Sequence, residues 1–178
     1  MTHLTRRAAG RHMVATALAG ATSLAFAGQA AAALLPQPSE RPILTVSGKI
    51  ANTNKGDAAQ FDRPMLEALG MSGFETTTPW YKGPVAFEGV PMDVLMRHVG
   101  AEGQRVIAIA LNDYASEIPL EDFRKYNVIL ALKRDGEYMP VRDKGPLFIV
   151  YPFDSDPALK SRTFYGRSVW QVAKLVVK

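Results

Sequence analysis

Residues 85–100 read VAFEGVPMDVLMRHVG, and a change of period inside them decides the class of fold. Val85 to Val90 is a short apolar run of strand type. From Pro91 the spacing changes. Met92, Leu95, Met96 and Val99 recur at helical intervals, and Gly100 closes the segment. A strand here runs straight into a short helix.

Working outward, the rest of the chain is mostly strand. Ile43 to Ile50 alternates like a half-buried strand, followed by a polar loop from Asn52 to Gln60. Asp62 can cap a short helix to Leu69, with Pro64 in the first turn and Gly70 as the stop. Phe74 to Thr78 is extended, and Trp80 to Pro84 is a turn with two large aromatics. Val106 to Leu111 is an unbroken apolar run, which predicts a central strand. Ser116 to Pro119 is extended and Leu120 to Tyr126 a small helix. Val128 to Lys133 and Glu137 to Pro140 flank Arg134-Asp135-Gly136, a hairpin signal. In RDKGPLFIVYP (142–152), Gly145-Pro146 is a corner that leads into a buried strand, Leu147 to Tyr151. Asp154 to Tyr165 is expected to be a long polar loop, and Ser168 to Val177 a terminal strand or mixed segment. Strands outnumber helices without βαβ alternation, so the expected class is α+β, mainly β.

The first 33 residues are a different kind of text. Arg6, Arg7 and Arg11 precede an uncharged, Ala-rich run from Met13, and small residues close it. The run is long enough to raise a membrane-anchor reading, but its Ala, Gly, Thr and Ser gain little from lipid. The favoured reading is therefore an export signal cleaved near residues 30–34, which predicts a periplasmic protein. Thr5-Arg6-Arg7 hints at twin-arginine export but lacks the usual apolar residue after the arginines. Residues 34–42 form an extended lead-in, and residues 43–178 suffice for one domain with its own core. Three arginines leave with the signal, so the net charge of +4 falls to +1. A near-neutral chain gives no support for nucleic-acid binding.

The inventory narrows the chemistry. The sequence has no Cys, and of its three histidines only His98 lies beyond the signal. The usual zinc, haem, copper and iron–sulfur sites need more Cys or His than that. There is no Cys nucleophile, no G-x-S-x-G elbow, no P-loop and no G-x-G-x-x-G.

Five spots combine polar and aromatic groups at strand ends. They are Thr76-Thr77-Thr78-Pro79-Trp80, Asn112-Asp113-Tyr114, Arg142-Asp143-Lys144-Gly145, Tyr151, and Tyr165 to Trp170. Together they offer stacking faces, carboxylates and guanidinium forks, which suit a flat heteroaromatic with donor and acceptor edges. Each spot also has a plainer reading. Trp80, Tyr151 and Trp170 can be core, Asp113 an Asx-turn, and Arg142 and Lys144 solvated turn charges. Arg167 can pair with Asp154 or Asp156, and His98 can be an ordinary helix-face residue.

The series F87-E-G-V-P-M-D-V-L-M-R, A110-L-N-D-Y-A-S-E-I-P, Y126-N-V-I-L-A, D135-G-E-Y-M-P, K144-G-P-L-F-I-V-Y-P and R167-S-V-W-Q-V resembles the sulfite-oxidase-type (SUOX) molybdopterin-binding domain. The resemblance covers about residues 43 to 177 and implies that fold. Enzymes of the family hold their metal through a Cys ahead of the F-x-G-V-P strand, where this chain has Phe74 to Trp80 with threonines and no thiol. In size, export signal and missing Cys the chain is similar to the PruR-type periplasmic pterin-binding regulators. That resemblance implies a non-catalytic protein that binds a reduced pterin, without metal, and controls a membrane-bound enzyme of cyclic di-GMP synthesis or degradation, hence biofilm formation. It implies that Trp80, with Tyr151 or Trp170, stacks the ring. Asp113 or Glu117 would accept from the 2-amino and N3–H edge, within a rim that includes Asn112, Tyr114 and Ser168. Arg142, Lys144 or Arg167 would face O4 or the side-chain hydroxyls, and Thr76, Thr77 and Thr78 would line the former metal side. The alternative is a molybdopterin-dependent oxidoreductase whose molybdenum cofactor is held without Cys.

Overall fold

Ten strands and four short helices make up the described part of the chain, which in this computed structural model is residues 1–2 and 34–178. The expected export signal, residues 1–33, lies outside the described residues except for its first two. The strands are β1 (Leu44–Gly48), β2 (Ala59–Phe61), β3 (Ser72–Thr77), β4 (Pro84–Pro91), β5 (Arg105–Ala110), β6 (Ala115–Pro119), β7 (Ile129–Arg134), β8 (Glu137–Tyr138), β9 (Phe148–Val150) and β10 (Val172–Val177). The helices are α1 (Arg63–Ala68), α2 (Met92–His98), α3 (Leu120–Lys125) and α4 (Arg162–Arg167). The class is α+β, mainly β, as the patterning predicts.

Two sheets form. The first runs β2-β1-β10-β5-β6, with β1 and β10 parallel and the other pairs antiparallel. The second runs β3-β4-β7-β8, and β9 also pairs with β7. Alternation places the residues: Val106, Ala108 and Ala110 of β5 face inward, and Arg105, Ile107 and Ile109 face the other way. One buried cluster draws Val46, Val106 and Leu175 from the first sheet, Phe87, Leu130 and Phe148 from the second, and Leu95 from α2. The opening stretch behaves as read, with β4 passing directly into α2. Gly89 is required there, because a Cβ would collide with the Leu130 carbonyl of β7.

Asp62 caps α1 as expected, accepting from the Met65 N–H at 2.9 Å. The same carboxylate is fully buried and accepts from the Ser39 N–H (2.6 Å), the Ser39 hydroxyl (3.0 Å) and the Glu40 N–H (2.8 Å), so it ties the lead-in to the domain. Burial alone would raise its pKa, but these donors hold it below the usual carboxylate value.

Several local expectations need correcting. The polar loop Asn52–Gln60 ends in β2, which pairs with β1 through Ala59 and Phe61. Asn54 organises that loop, because its side chain reaches the Pro36 and Gln60 carbonyls and accepts from the Gln60 N–H. The loop expected from Asp154 to Tyr165 contains a 3-10 turn (Pro157–Leu159) and most of α4. At six residues α4 is too short for a helical period to stand out, and Ser161 gives it no side-chain cap. Val141–Asp143 is a 3-10 turn, and Gly145–Pro146, a cis peptide, follows it into β9.

The seam between the sheets positions the site. After α4 the chain runs beside β9, with the Ile149 N–H bonded to the Val169 carbonyl and Phe148 bridged to Trp170. Two residues later it enters β10 of the other sheet. Trp170 therefore sits where the chain changes sheet.

Candidate functional site

A cleft of about 300 Å³ opens at this seam. Its first wall is Trp80, in the turn after β3. Its second is the end of α4 and the strand that follows, with Tyr165, Ser168, Val169 and Trp170. The end of β5 and the turn to β6 supply the third, with Ala110, Asn112 and Tyr114.

Trp80 is partly buried and meets four rings edge-on: Phe148 and Trp170 at 5.5 Å, Tyr165 at 6.0 Å and Phe153 at 6.1 Å. It is thus anchored on the core and also walls the cleft. Trp170 is 37% exposed. In the third wall the Asn112 Oδ1 accepts from the Tyr114 N–H at 3.3 Å, and Asp113 takes a left-handed conformation (φ 63°). The turn is therefore an Asx-turn, made by Asn112 rather than Asp113. Across the cleft the Tyr114 hydroxyl donates to the Gly166 carbonyl at 3.3 Å. The Asn112 amide nitrogen, the Tyr165 hydroxyl and both indole N–H groups have no hydrogen-bond partner among the described residues. Among the described residues no buried side-chain nitrogen or oxygen lacks one, so those of Trp80 and Tyr165 reach solvent.

The structure brings together Trp80, Asn112, Tyr114, Ser168 and Trp170 from the expected set. The others lie elsewhere. Tyr151 is fully buried, and its hydroxyl donates to Asp122 at 2.7 Å. Burial first, then this bond, push that hydroxyl far above the usual phenol range. Arg167 donates to the same Asp122 oxygen at 2.8 Å, not to Asp154 or Asp156. Glu117 stands on the edge strand β6 and pairs with Arg105 at 3.5 Å, both half exposed. Arg142 is exposed on its 3-10 turn and has no ion-pair partner among the described residues. The Lys144 Nζ lies 4.5 Å from the Tyr81 ring centroid and 5.7 Å from that of Trp170, beside the second wall rather than in the cleft. Next to it, Asp143 accepts from Arg134 (2.5 Å) and the Tyr81 hydroxyl (3.0 Å). Burial would raise the Asp143 pKa, but these donors lower it.

The threonines support the first wall without lining the cleft. The Thr76 hydroxyl is buried and accepts from the Asp154 N–H at 3.0 Å. The Asp154 carboxylate accepts from the Thr77 N–H (2.5 Å), the Thr77 hydroxyl (2.7 Å) and Lys160 (2.6 Å). The Thr78 oxygen accepts from the Trp80 N–H at 3.3 Å. All three hydroxyls are spent on holding the Trp80 turn.

Sequence reasoning missed Ala110, a small apolar residue with no chemical signal, and gave Val169, inside the spot Tyr165 to Trp170, no role. It gave Tyr165 no role of its own. It also missed Asp122, which reads as an ordinary charge on a short helix.

The family model described as the oxidoreductase molybdopterin binding domain matches residues 58–153. The chain belongs to this family. No curated protein matches it. Membership in the molybdopterin-binding family supports a pterin-type ligand in general. The matched span carries the Trp80 wall and the β5–β6 turn, while α4 and Trp170 lie beyond it. Pterin and metal fit the site differently. The cleft is at the lower end of the usual range for small-molecule sites, roughly 300–1,000 Å³, which suits a single bicyclic ring lying against the aromatic side of the cleft. A metal held by a protein thiolate does not fit, because the chain has no cysteine.

Proposed function

We propose that this molybdopterin-domain protein is an exported, non-catalytic receptor for a reduced pterin. In this reading it passes ligand occupancy to a membrane-bound enzyme that makes or degrades cyclic di-GMP, and so regulates biofilm formation. The observation that carries the ligand is the cleft itself: aromatic walls, unpartnered donors at Asn112 and Tyr165, and no cysteine thiolate for a metal. The regulatory role rests on the sequence resemblance in size, export signal and missing Cys.

Trp80 and Trp170 would face the ring, and Asn112 and Tyr165 would hydrogen-bond its heteroatom edge. Desolvated stacking of this kind contributes roughly 1–3 kcal/mol per ring. Tyr114 would hold the open side through its bond to Gly166.

Calorimetry with the full chain and a dihydropterin tests the ligand. One equivalent should bind, and Trp170→Ala should weaken binding about tenfold or more. Trp170 is partly exposed, so the variant keeps its fold, which circular dichroism checks. No binding to the wild-type chain, or binding indifferent to Trp170, would end the proposal. Elemental analysis of the purified protein addresses the alternative oxidoreductase: stoichiometric molybdenum would favour the enzyme. Cyclic di-GMP levels in cells carrying wild type or Trp170→Ala test the regulatory half, and equal levels in both would overturn it.

A further inference from the structure

A second depression lies at the back of the cleft's inner wall, where the parallel strands β1 and β10 both begin. It encloses about 460 Å³. Leu111 and Val141, 54% and 51% exposed, stand at one side, with Pro146 and Val172 between. Arg41 and Lys174 flank it. No carboxylate lines it, and neither cation has an ion-pair partner among the described residues.

The groove shares its wall with the cleft. Ala110 and Asn112 line the cleft, and Leu111 between them lines the groove. Trp170 lines the cleft and Val172 the groove. Gln171 ties the two together: its carbonyl accepts from the Leu111 N–H at 2.9 Å, and its side chain donates to the Val141 carbonyl at 2.7 Å.

We infer that this groove is a docking surface for an extended, acidic and apolar segment of a partner protein. Apolar side chains would cover Leu111 and Val141, and carboxylates would meet Arg41 and Lys174. Exposed apolar residues rimmed by charges of one sign mark an interaction surface, and the unpaired cations set the sign of the partner. The extended shape follows from residues 41–45 and 172–174, which run side by side along the groove where the two parallel strands begin. The inference rests on the proposed function only in identifying the partner with the regulated enzyme.

The test uses the full chain and two fluorescent octapeptides, one alternating Glu with Leu and one alternating Lys with Leu. By anisotropy the acidic peptide should bind at least tenfold tighter than the basic one, and less tightly as salt rises. Combined Arg41→Glu and Lys174→Glu should reverse the preference. Combined Leu111→Ser and Val141→Ser should weaken the acidic peptide about tenfold, with an unchanged circular dichroism spectrum. Equal binding of the two peptides, or a charge-reversed variant that keeps its preference for the acidic one, would overturn the inference. So would sedimentation showing a dimer that the variants break, because the occupant would then be a second copy. Dihydropterin calorimetry on the same variants separates the two claims. Intact pterin binding with no docking removes only the groove, and docking without pterin binding removes only the receptor.

Discussion

Two aspartates hold opposite walls of the cleft, and they do so at opposite extremes of burial. Asp122, on α3, is 7% exposed and accepts from both Tyr151 and Arg167, which fixes the end of α4 against the core. Asp154 sits on the surface and accepts from Thr77 and Lys160, which fixes the turn that carries Trp80. The wiring is similar: one carboxylate bridges two segments distant in sequence. The surroundings are not. A buried carboxylate leaves charged or polar partners stranded when it is removed, whereas a solvated one leaves them to water. The α4 tie is therefore part of the fold's stability, whereas the Asp154 tie that steadies the Trp80 turn lies at the surface and can be lost with little cost to the fold.

The strongest way to break this contrast is Asp122→Ala. Arg167 would lose its partner while its side chain is only 23% exposed, and the Tyr151 hydroxyl would be buried without an acceptor. The expected loss is about 3 kcal/mol, read from the midpoint of urea unfolding. A loss below about 1 kcal/mol would mean that water replaces the carboxylate and that the α4 wall is not built on it.

How far the sequence revealed this division depends on the length of each signal. The period change at Pro91 and the Asp62 cap rest on several residues each, and both read correctly; the run Val106 to Leu111 gives strand β5, although Leu111 falls past its end and is 54% exposed. Helix α4 and strand β2 are six and three residues long, too short to show a period, and tertiary contacts decide them. In the site, aromatic residues at strand ends fared better than charges: Trp80, Tyr114 and Trp170 meet at one cleft, while Tyr151 is core. Charges were poor guides. Arg167, Glu117 and Lys144 found partners within the protein, because a charge's partner depends on which distant segment passes nearby. No local pattern could pair Arg167 with an aspartate 45 residues earlier.

A smaller effect sharpens the buried side of the comparison. The folded Tyr151 hydroxyl titrates well above the unfolded value of about 10, so the folded state keeps a proton that the unfolded chain releases. Its contribution is complete below about pH 10 and is lost as pH rises from there. By pH 11 the loss is about 1.4 kcal/mol. Tyr151→Phe should flatten this part of the alkaline stability profile, because the titrating group is gone. A variant with the same alkaline slope as wild type would assign that slope to other groups, Tyr81 among them, whose pKa is also raised by burial.

The smallest stability effect belongs to the exposed side. The Asp154 pKa is lowered well below the usual carboxylate value, by Lys160 first and then by the Thr77 donors. A lowered folded pKa places the contribution above the unfolded value of about 3.9, and it fades as pH falls below that. With the carboxylate exposed, Asp154→Ala should cost only about 0.5–1 kcal/mol at neutral pH. Its larger consequence should be in ligand binding. Released from Asp154, Thr77 no longer fixes the strand end that leads to Thr78, whose oxygen holds the Trp80 N–H. Dihydropterin affinity should therefore fall several-fold while the unfolding midpoint barely moves. If affinity and midpoint fell together in Asp154→Ala, the Trp80 wall would belong to the folding core as the α4 wall does, and the contrast between the two aspartates would be lost.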